Sequence, residues 1–122
     1  MQRPTRHLLV ERRGEVYCLR LANNTLSETD MIEMADEAVS LIIDRGYRKF
    51  AFALGPESPV CLYSIFLAKL VTIRRRLREC NGQMRLCHVP DNIRDVFKAC
   101  RLDTYFEFEP DLDTAVAALS AA

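Results

Sequence analysis

Glycine is scarce in this chain, and its scarcity removes a class of functions at once. Only four occur, at positions 14, 46, 55 and 82, and no two lie close together. A loop that cradles phosphate needs clustered glycines, so that backbone amides can converge on the anion. Nucleotide binding is therefore not expected. Net charge is absent too, because seventeen basic residues cancel seventeen acidic ones. No whole-chain field draws the protein to nucleic acid or to an anionic membrane. Long apolar runs are also missing: no stretch approaches the about 18 residues that a membrane span requires. Nor does an apolar leader open the chain, so the expectation is no signal peptide, no membrane insertion and a cytoplasmic protein.

The cysteines are odd in number, five in all, at 18, 61, 80, 87 and 100. Scattered through apolar patterns, they read as small core hydrophobes kept reduced in a cytosol. Cys80 and the Cys87-His88 pair invite a zinc reading, since thiolate and imidazole suit that ion. On a strand, however, Cys87 and His88 point to opposite faces and cannot converge on one metal. A Cys-His nucleophile would need His7 to fold beside Cys61, which spacing alone does not show. The expectation is no metal, no cofactor and no catalysis.

Hydrophobic residues make up 49% of the 122 positions, enough for one globular domain over 1–122. His7 to Val10 and Glu15 to Leu21 are β-prone runs joined at Arg12-Arg13-Gly14, a hairpin. Ser27 to Asp30 has the form of a capping box. Met31, Met34, Ala35, Ala38, Leu41 and Ile42 follow at helical spacing, and Gly46 is placed to end that helix. Arg48 to Leu54 reads as a strand covered on both faces. A helix with Phe66, Leu70, Ile73 and Leu77 on one stripe comes next, ending at Asn81-Gly82. Met84 to Val89 is a strand, and Pro90-Asp91 opens a short helix to Cys100. Tyr105 to Phe108 reads as a last short strand, and Pro110-Asp111 starts an alanine-rich helix. Repeated β-α-β units predict an α/β fold, a largely parallel mixed sheet with an N-terminal hairpin and about four flanking helices.

Between the central strand and its helix, Gly55-Pro56-Glu57-Ser58-Pro59 interrupts regular structure. Such corners are where α/β folds place working loops. Here the corner continues as Cys61-Leu62-Tyr63-Ser64, which is mostly apolar. Phe66 and Leu70 point to the sheet, so Leu62, Tyr63 and Leu67 are expected to be at least partly exposed. An exposed apolar cluster marks a protein interface, unless neighbouring helices or the N-terminal arm cover it. The arginines at 74, 75, 76 and 78 fit a solvated helix face better than an anion site, with Glu79 four residues after Arg75.

Several segments resemble the STAS domain, the fold of bacterial anti-sigma factor antagonists and of the cytosolic tails of sulfate transporters. Arg20-Leu21-Ala22-Asn23 sits where that family has a strand-ending loop. Cys80-Asn81-Gly82-Gln83-Met84-Arg85-Leu86 is similar to its G-G-x-L-x-L segment. The run Phe97 to Phe106 is similar to L-x-x-T-G-L-x-x-x-F, and Asp111 to Ala115 matches D-x-x-x-A. The likeness extends from about Glu15 to Leu119. Departures are as telling. The family's D-S-S-G falls on Cys61, Leu62, Tyr63 and Ser64, and its phosphorylated first serine is Leu62. Its glycine before L-x-x-x-F is Arg101, and its aspartate at the end of the central strand is Ala53.

The resemblance implies a non-catalytic module that binds another protein, an anti-sigma factor or kinase-like partner in partner switching. It places the contact on Asn23, Asn24, Pro59, Cys61, Leu62, Tyr63, Ser64 and Leu67. Leucine has no hydroxyl, so the usual switch is lost. Ser64 is the candidate displaced phosphosite, near a helix N-terminus that favours phosphate, and an ordinary polar helix residue is the other reading. A small cytosolic subunit of a membrane transport complex is the alternative function, and a homodimer a third arrangement.

Overall fold

Two arginines lengthen the first strand beyond what hydrophobic alternation predicts. In the computed structural model, which describes residues 5–121, β1 covers Leu8–Arg13 and β2 covers Val16–Leu21. Arg12 pairs with Tyr17 and Arg13 with Val16, so the turn is only Gly14-Glu15. Gly14 takes a φ of 63°, and Glu15 is not among the residues with positive φ, a pattern that suits a two-residue hairpin with a II′-type turn. The arginine side chains have partners that hold this end. Arg12 lies 6.0 Å over the Tyr17 ring, and Arg13 Nη1 is 2.8 Å from Asp113 Oδ1.

The remaining elements follow the predicted order: α1 (Glu28–Ile43), β3 (Lys49–Ala53), α2 (Tyr63–Glu79), β4 (Gln83–Cys87), α3 (Asp91–Ala99), β5 (Phe108–Glu109) and α4 (Leu112–Ser120). The five strands form one sheet in the order β1-β2-β3-β4-β5. Only β1 and β2 are antiparallel; the other pairs are parallel. β3 is central, and from Phe50 onward every residue in it is buried. Alternation divides its side chains by size. Phe50 and Phe52 join the large core with α1, α2 and α3, while Ala51 and Ala53 join Cys18, Cys87, Ala115 and Leu119 under α4. Small residues on the second face let an alanine-rich helix sit close to the sheet.

The helix signals in the sequence are realised. Ser27 Oγ accepts from the Asp30 amide at 3.1 Å, and Asp30 Oδ2 accepts from the Ser27 amide at 2.9 Å, a complete capping box. The six residues expected on the inner stripe of α1 are its six buried residues. Beyond α1, Gly46 takes a φ of 72°, its amide reaches Ile42 O and the Tyr47 amide reaches Leu41 O, a left-handed close of the helix.

The two later strands, β4 and β5, differ from expectation as well. The amides of Tyr105 and Phe106 turn back to Leu102 O at 3.1 and 3.3 Å, so β5 is only Phe108–Glu109. Phe106 is instead buried edge-on against Phe97, with ring centroids 5.3 Å apart. β4 stops at Cys87 because His88 adopts a φ of 50°, which leaves the β region. His88 Nε2 then accepts from the Leu112 amide at 3.1 Å and ties β4 to the start of α4. At the end of α3, Arg101 takes a φ of 57°, a left-handed position usually given to glycine.

A carboxylate clamps the start of β1 to α1. Glu37 Oε1 accepts from the amides of Arg6 (3.0 Å), His7 (3.0 Å) and Leu8 (3.3 Å), with its side chain largely buried. Hydrogen bonds to a charged acceptor are stronger than neutral ones. Glu37→Ala is expected to lower stability by about 1.5–3 kcal/mol in urea unfolding and to speed hydrogen exchange at residues 6–8. Arg101→Gly removes left-handed strain of about 1–2 kcal/mol but adds freedom to the unfolded chain. The net expectation, read from the same urea midpoints, is a gain between zero and about 1 kcal/mol.

Candidate functional site

The corner after β3 is built by backbone before any side chain acts. The Leu54 amide donates to Cys87 O at 3.0 Å, which carries the ladder one residue past β3. Gly55 then presses against the neighbouring strand: a Cβ there would lie 2.1 Å from His88 O, so only glycine fits. The Gly55–Pro56 peptide is cis. After the exposed Pro56 and Glu57, the chain returns inward and Val60 pairs in parallel with Thr25. The Val60 amide donates to Asn24 O at 2.7 Å, and the Leu26 amide donates to Val60 O at 2.9 Å.

Side chains complete the frame. Asn24 Nδ2 donates to Ser58 O at 2.8 Å. The Tyr63 hydroxyl donates to Pro59 O at 2.9 Å and faces Asn92 Nδ2 at 3.3 Å. The Ser58 hydroxyl meets Asn92 Oδ1 at 2.6 Å. Asn92, in the first turn of α3, escapes the sequence reading altogether. The available signal was a polar Asp91-Asn92 step directly after Pro90, just beyond the C-terminal end of β4.

The helix α2 starts at Tyr63, with Leu62 as its N-cap and no capping side chain. Leu62 O accepts from the amides of Ile65 and Phe66 at 3.1 and 3.0 Å. With its backbone occupied in this way, the Leu62 side chain is left 62% exposed beside Val60 at 61%. Asn23 and Ser64 are exposed, and Cys61, Tyr63 and Ile65 are half-buried. Two members of the expected patch are placed otherwise. Leu67 is only 2% exposed, because it lies one position along from Phe66 on a stripe that packs against α1 as well as the sheet. Pro59 is also buried, and its carbonyl is held by Tyr63. Both support the corner from beneath. The surface that remains is Asn23, Val60, Leu62 and Ser64, with Asn24, Cys61 and Tyr63 partly showing.

Chemically the corner offers contact and little reactivity. Burial pushes the Cys61 thiol above its ordinary range, raises Cys18, and pushes Cys87 up to about 12. These thiols stay protonated at neutral pH and are poor nucleophiles. Both histidines are engaged elsewhere, His88 with the Leu112 amide and His7 Nε2 with Glu33 Oε1 at 3.1 Å. His7, Asp30 and Glu33 bring ligand-type atoms within 4.8 Å of one another. Asp30 there holds the Ser27 amide and Glu33 holds His7, so the cluster belongs to the clamp on β1.

The arginines of α2 are less solvated than expected. Arg74 lies 4.2 Å over the Tyr105 ring, and Glu79 pairs with Arg76 at 3.5 Å rather than with Arg75. An i,i+3 partner is as close on a helix surface as an i,i+4 one, and here it is the one taken. Among the described residues, no helix is long and apolar enough to cross a membrane.

No protein-family model and no curated relative matches the chain. Solved structures do. An anti-sigma-factor antagonist (STAS) domain protein from Planctomyces limnophilus superposes with a TM-score of 0.78 at 21% identity, covering 93% of this chain and 97% of that one. The chain has the STAS fold. The anti-sigma factor antagonist SpoIIAA in its unphosphorylated form gives a TM-score of 0.72 at 12% identity, covering 94% and 98%. The phosphorylated form of the Bacillus cell fate determinant SpoIIAA gives 0.68 at 14%, covering 91% and 98%. Within this STAS fold, the place that the resemblance gives to the phosphorylated serine is the exposed Leu62, and the place of the aspartate is the buried Ala53.

Burial separates frame from surface in a way that mutation can read. Leu62→Asp is expected to change stability by no more than about 0.5 kcal/mol, as for an ordinary surface site. Leu67→Ala, five residues on, is expected to cost about 2–5 kcal/mol in urea unfolding.

Proposed function

We propose that this chain is a non-catalytic protein-binding module of bacterial partner-switching signalling, acting in the cytoplasm through the corner at Val60 to Ser64. The single observation that carries this reading is the exposed Leu62 at the start of α2, on a rigid frame. Two apolar side chains two residues apart, Val60 and Leu62, both stand exposed to water and are suited to a partner's surface. The STAS fold lends support, since the structures it resembles include anti-sigma factor antagonists.

Binding is constitutive in this reading. Phosphate at the apolar centre of a docking surface adds charge that is costly to desolvate against a partner's apolar strip. Leu62 cannot carry one, and Asn23, Tyr63 and Leu62 stay in the binding state.

Affinity capture from the source cells, with the full chain as bait, tests the proposal. An anti-sigma factor or kinase-like protein is expected, held at least about tenfold more weakly by Leu62→Asp. Recovery of a membrane transport ATPase would assign the module to a transport complex instead. Incubating the captured kinase with ATP is expected to leave the wild-type chain unmodified. Stoichiometric phosphorylation that disappears in Ser64→Ala would overturn the constitutive reading.

A further inference from the structure

The docking corner carries charge of one sign. Three segments build it, residues 22–31, 54–68 and 89–93, and they hold Glu28, Asp30, Glu57 and Asp91 but no lysine, arginine or histidine. The whole chain, by contrast, has equal numbers of acidic and basic residues. Asp30 is occupied by the Ser27 amide. Glu28, Glu57 and Asp91 are exposed, and no ion pair engages them among the described residues.

Each of the three stands next to the hydrogen-bonded frame. Glu28 lies two residues past Leu26, whose amide holds Val60 O. Glu57 adjoins Ser58, which accepts from Asn24 and meets Asn92. Asp91 adjoins Asn92, which faces Tyr63. The flanking residues Arg20, Lys69, His88 and Arg94 fall just outside these segments; His88 accepts from the Leu112 amide, and Arg94 is stacked 4.4 Å over Phe108.

Helix dipoles explain part of this pattern, since Glu28 and Asp91 sit in the first turns of α1 and α3. They do not explain Glu57, which belongs to no helix. Nor do they explain α2, which begins at the centre of the corner with no acid in its first turn. The arrangement is that of an interface: an apolar centre of exposed Val60 and Leu62, with exposed carboxylates on each of the three segments that frame it.

Resting on the docking reading above, we propose that the corner receives a protein whose contact surface is an apolar strip flanked by lysine or arginine. Opposite charge around an apolar centre speeds encounter and rejects partners of the wrong sign. The same corner of a second copy is a poor occupant. A two-fold contact would set the acidic segments of one copy against the acidic segments of the other.

The test uses the full chain and two synthetic amphipathic helical peptides with one leucine stripe, flanked by arginine in the first and by glutamate in the second. The arginine peptide is expected to bind at least about tenfold more tightly, to weaken with added salt, and to shift amide resonances at 24–28 and 57–64. The surface variant Glu28→Lys/Glu57→Lys/Asp91→Lys is expected to reverse the preference, and Leu62→Asp to abolish binding of both peptides. Equal binding of the two peptides at the corner, lost in Leu62→Asp, would overturn the charge rule and leave the docking reading standing. If neither peptide shifts a corner amide, both readings fail. A concentration-dependent dimer in sedimentation, dissolved by Leu62→Asp, would make a second copy the occupant and overturn the proposal.

Discussion

Phe50, Ala51, Phe52 and Ala53 must all be dry, yet their side chains point alternately to opposite faces of one sheet. The rest of the molecule follows from meeting that demand. Each face needs its own cover, so the chain has to cross the sheet repeatedly, in β-α-β steps that make neighbouring strands parallel. Size alternation assigns the covers. Phenylalanines draw α1, α2 and α3 into a deep core where each buried ring contributes about 2 kcal/mol. Alanines on the other face leave room for α4 alone, whose Ala115 and Leu119 lie against Ala51, Ala53 and Cys87.

Rigidity in the strand passes directly into the corner. β3 hands over at Leu54, still bonded to Cys87 O, and Gly55 touches His88 so closely that the path out of the sheet has no slack. The pairing of Val60 with Thr25 and the contacts among Asn24, Ser58, Tyr63 and Asn92 then hold the loop from three directions. An apolar residue on a loose loop can fold back onto the core. Leu62 cannot, because its carbonyl is already the first acceptor of α2 and its side chain is aimed outward. Exposure here is a consequence of geometry, and a frame held this firmly loses little entropy on binding.

Much of this was legible in the residues. The inner stripe of α1, the Ser27 cap, the hairpin, the central strand and the order of elements all follow from patterns local to a few residues. The errors are instructive because each came from a non-local competitor. Tyr105 and Phe106 alternate like a strand, but Phe97 offered Phe106 a better burial site than sheet pairing did. His88 continues an apolar run, yet Leu112 in a distant helix gave its ring a partner and bent it out of β4. Leu67 lies beside the sheet-facing stripe, and only the presence of α1 decided that it would be buried.

The sequence by itself determined the alternation of strands and helices, the loss of a hydroxyl at Leu62 and the shortage of cations around it. These are properties of single residues and short spacings, which need no partner to be true. Tertiary structure decided which apolar side chains reach water: Leu62 and Val60 do, while Leu67 and Pro59 do not. It also gathered Glu28, Glu57 and Asp91, far apart along the chain, around one corner. Burial and charge proximity depend on what packs from elsewhere in the chain, and no local pattern contains that information.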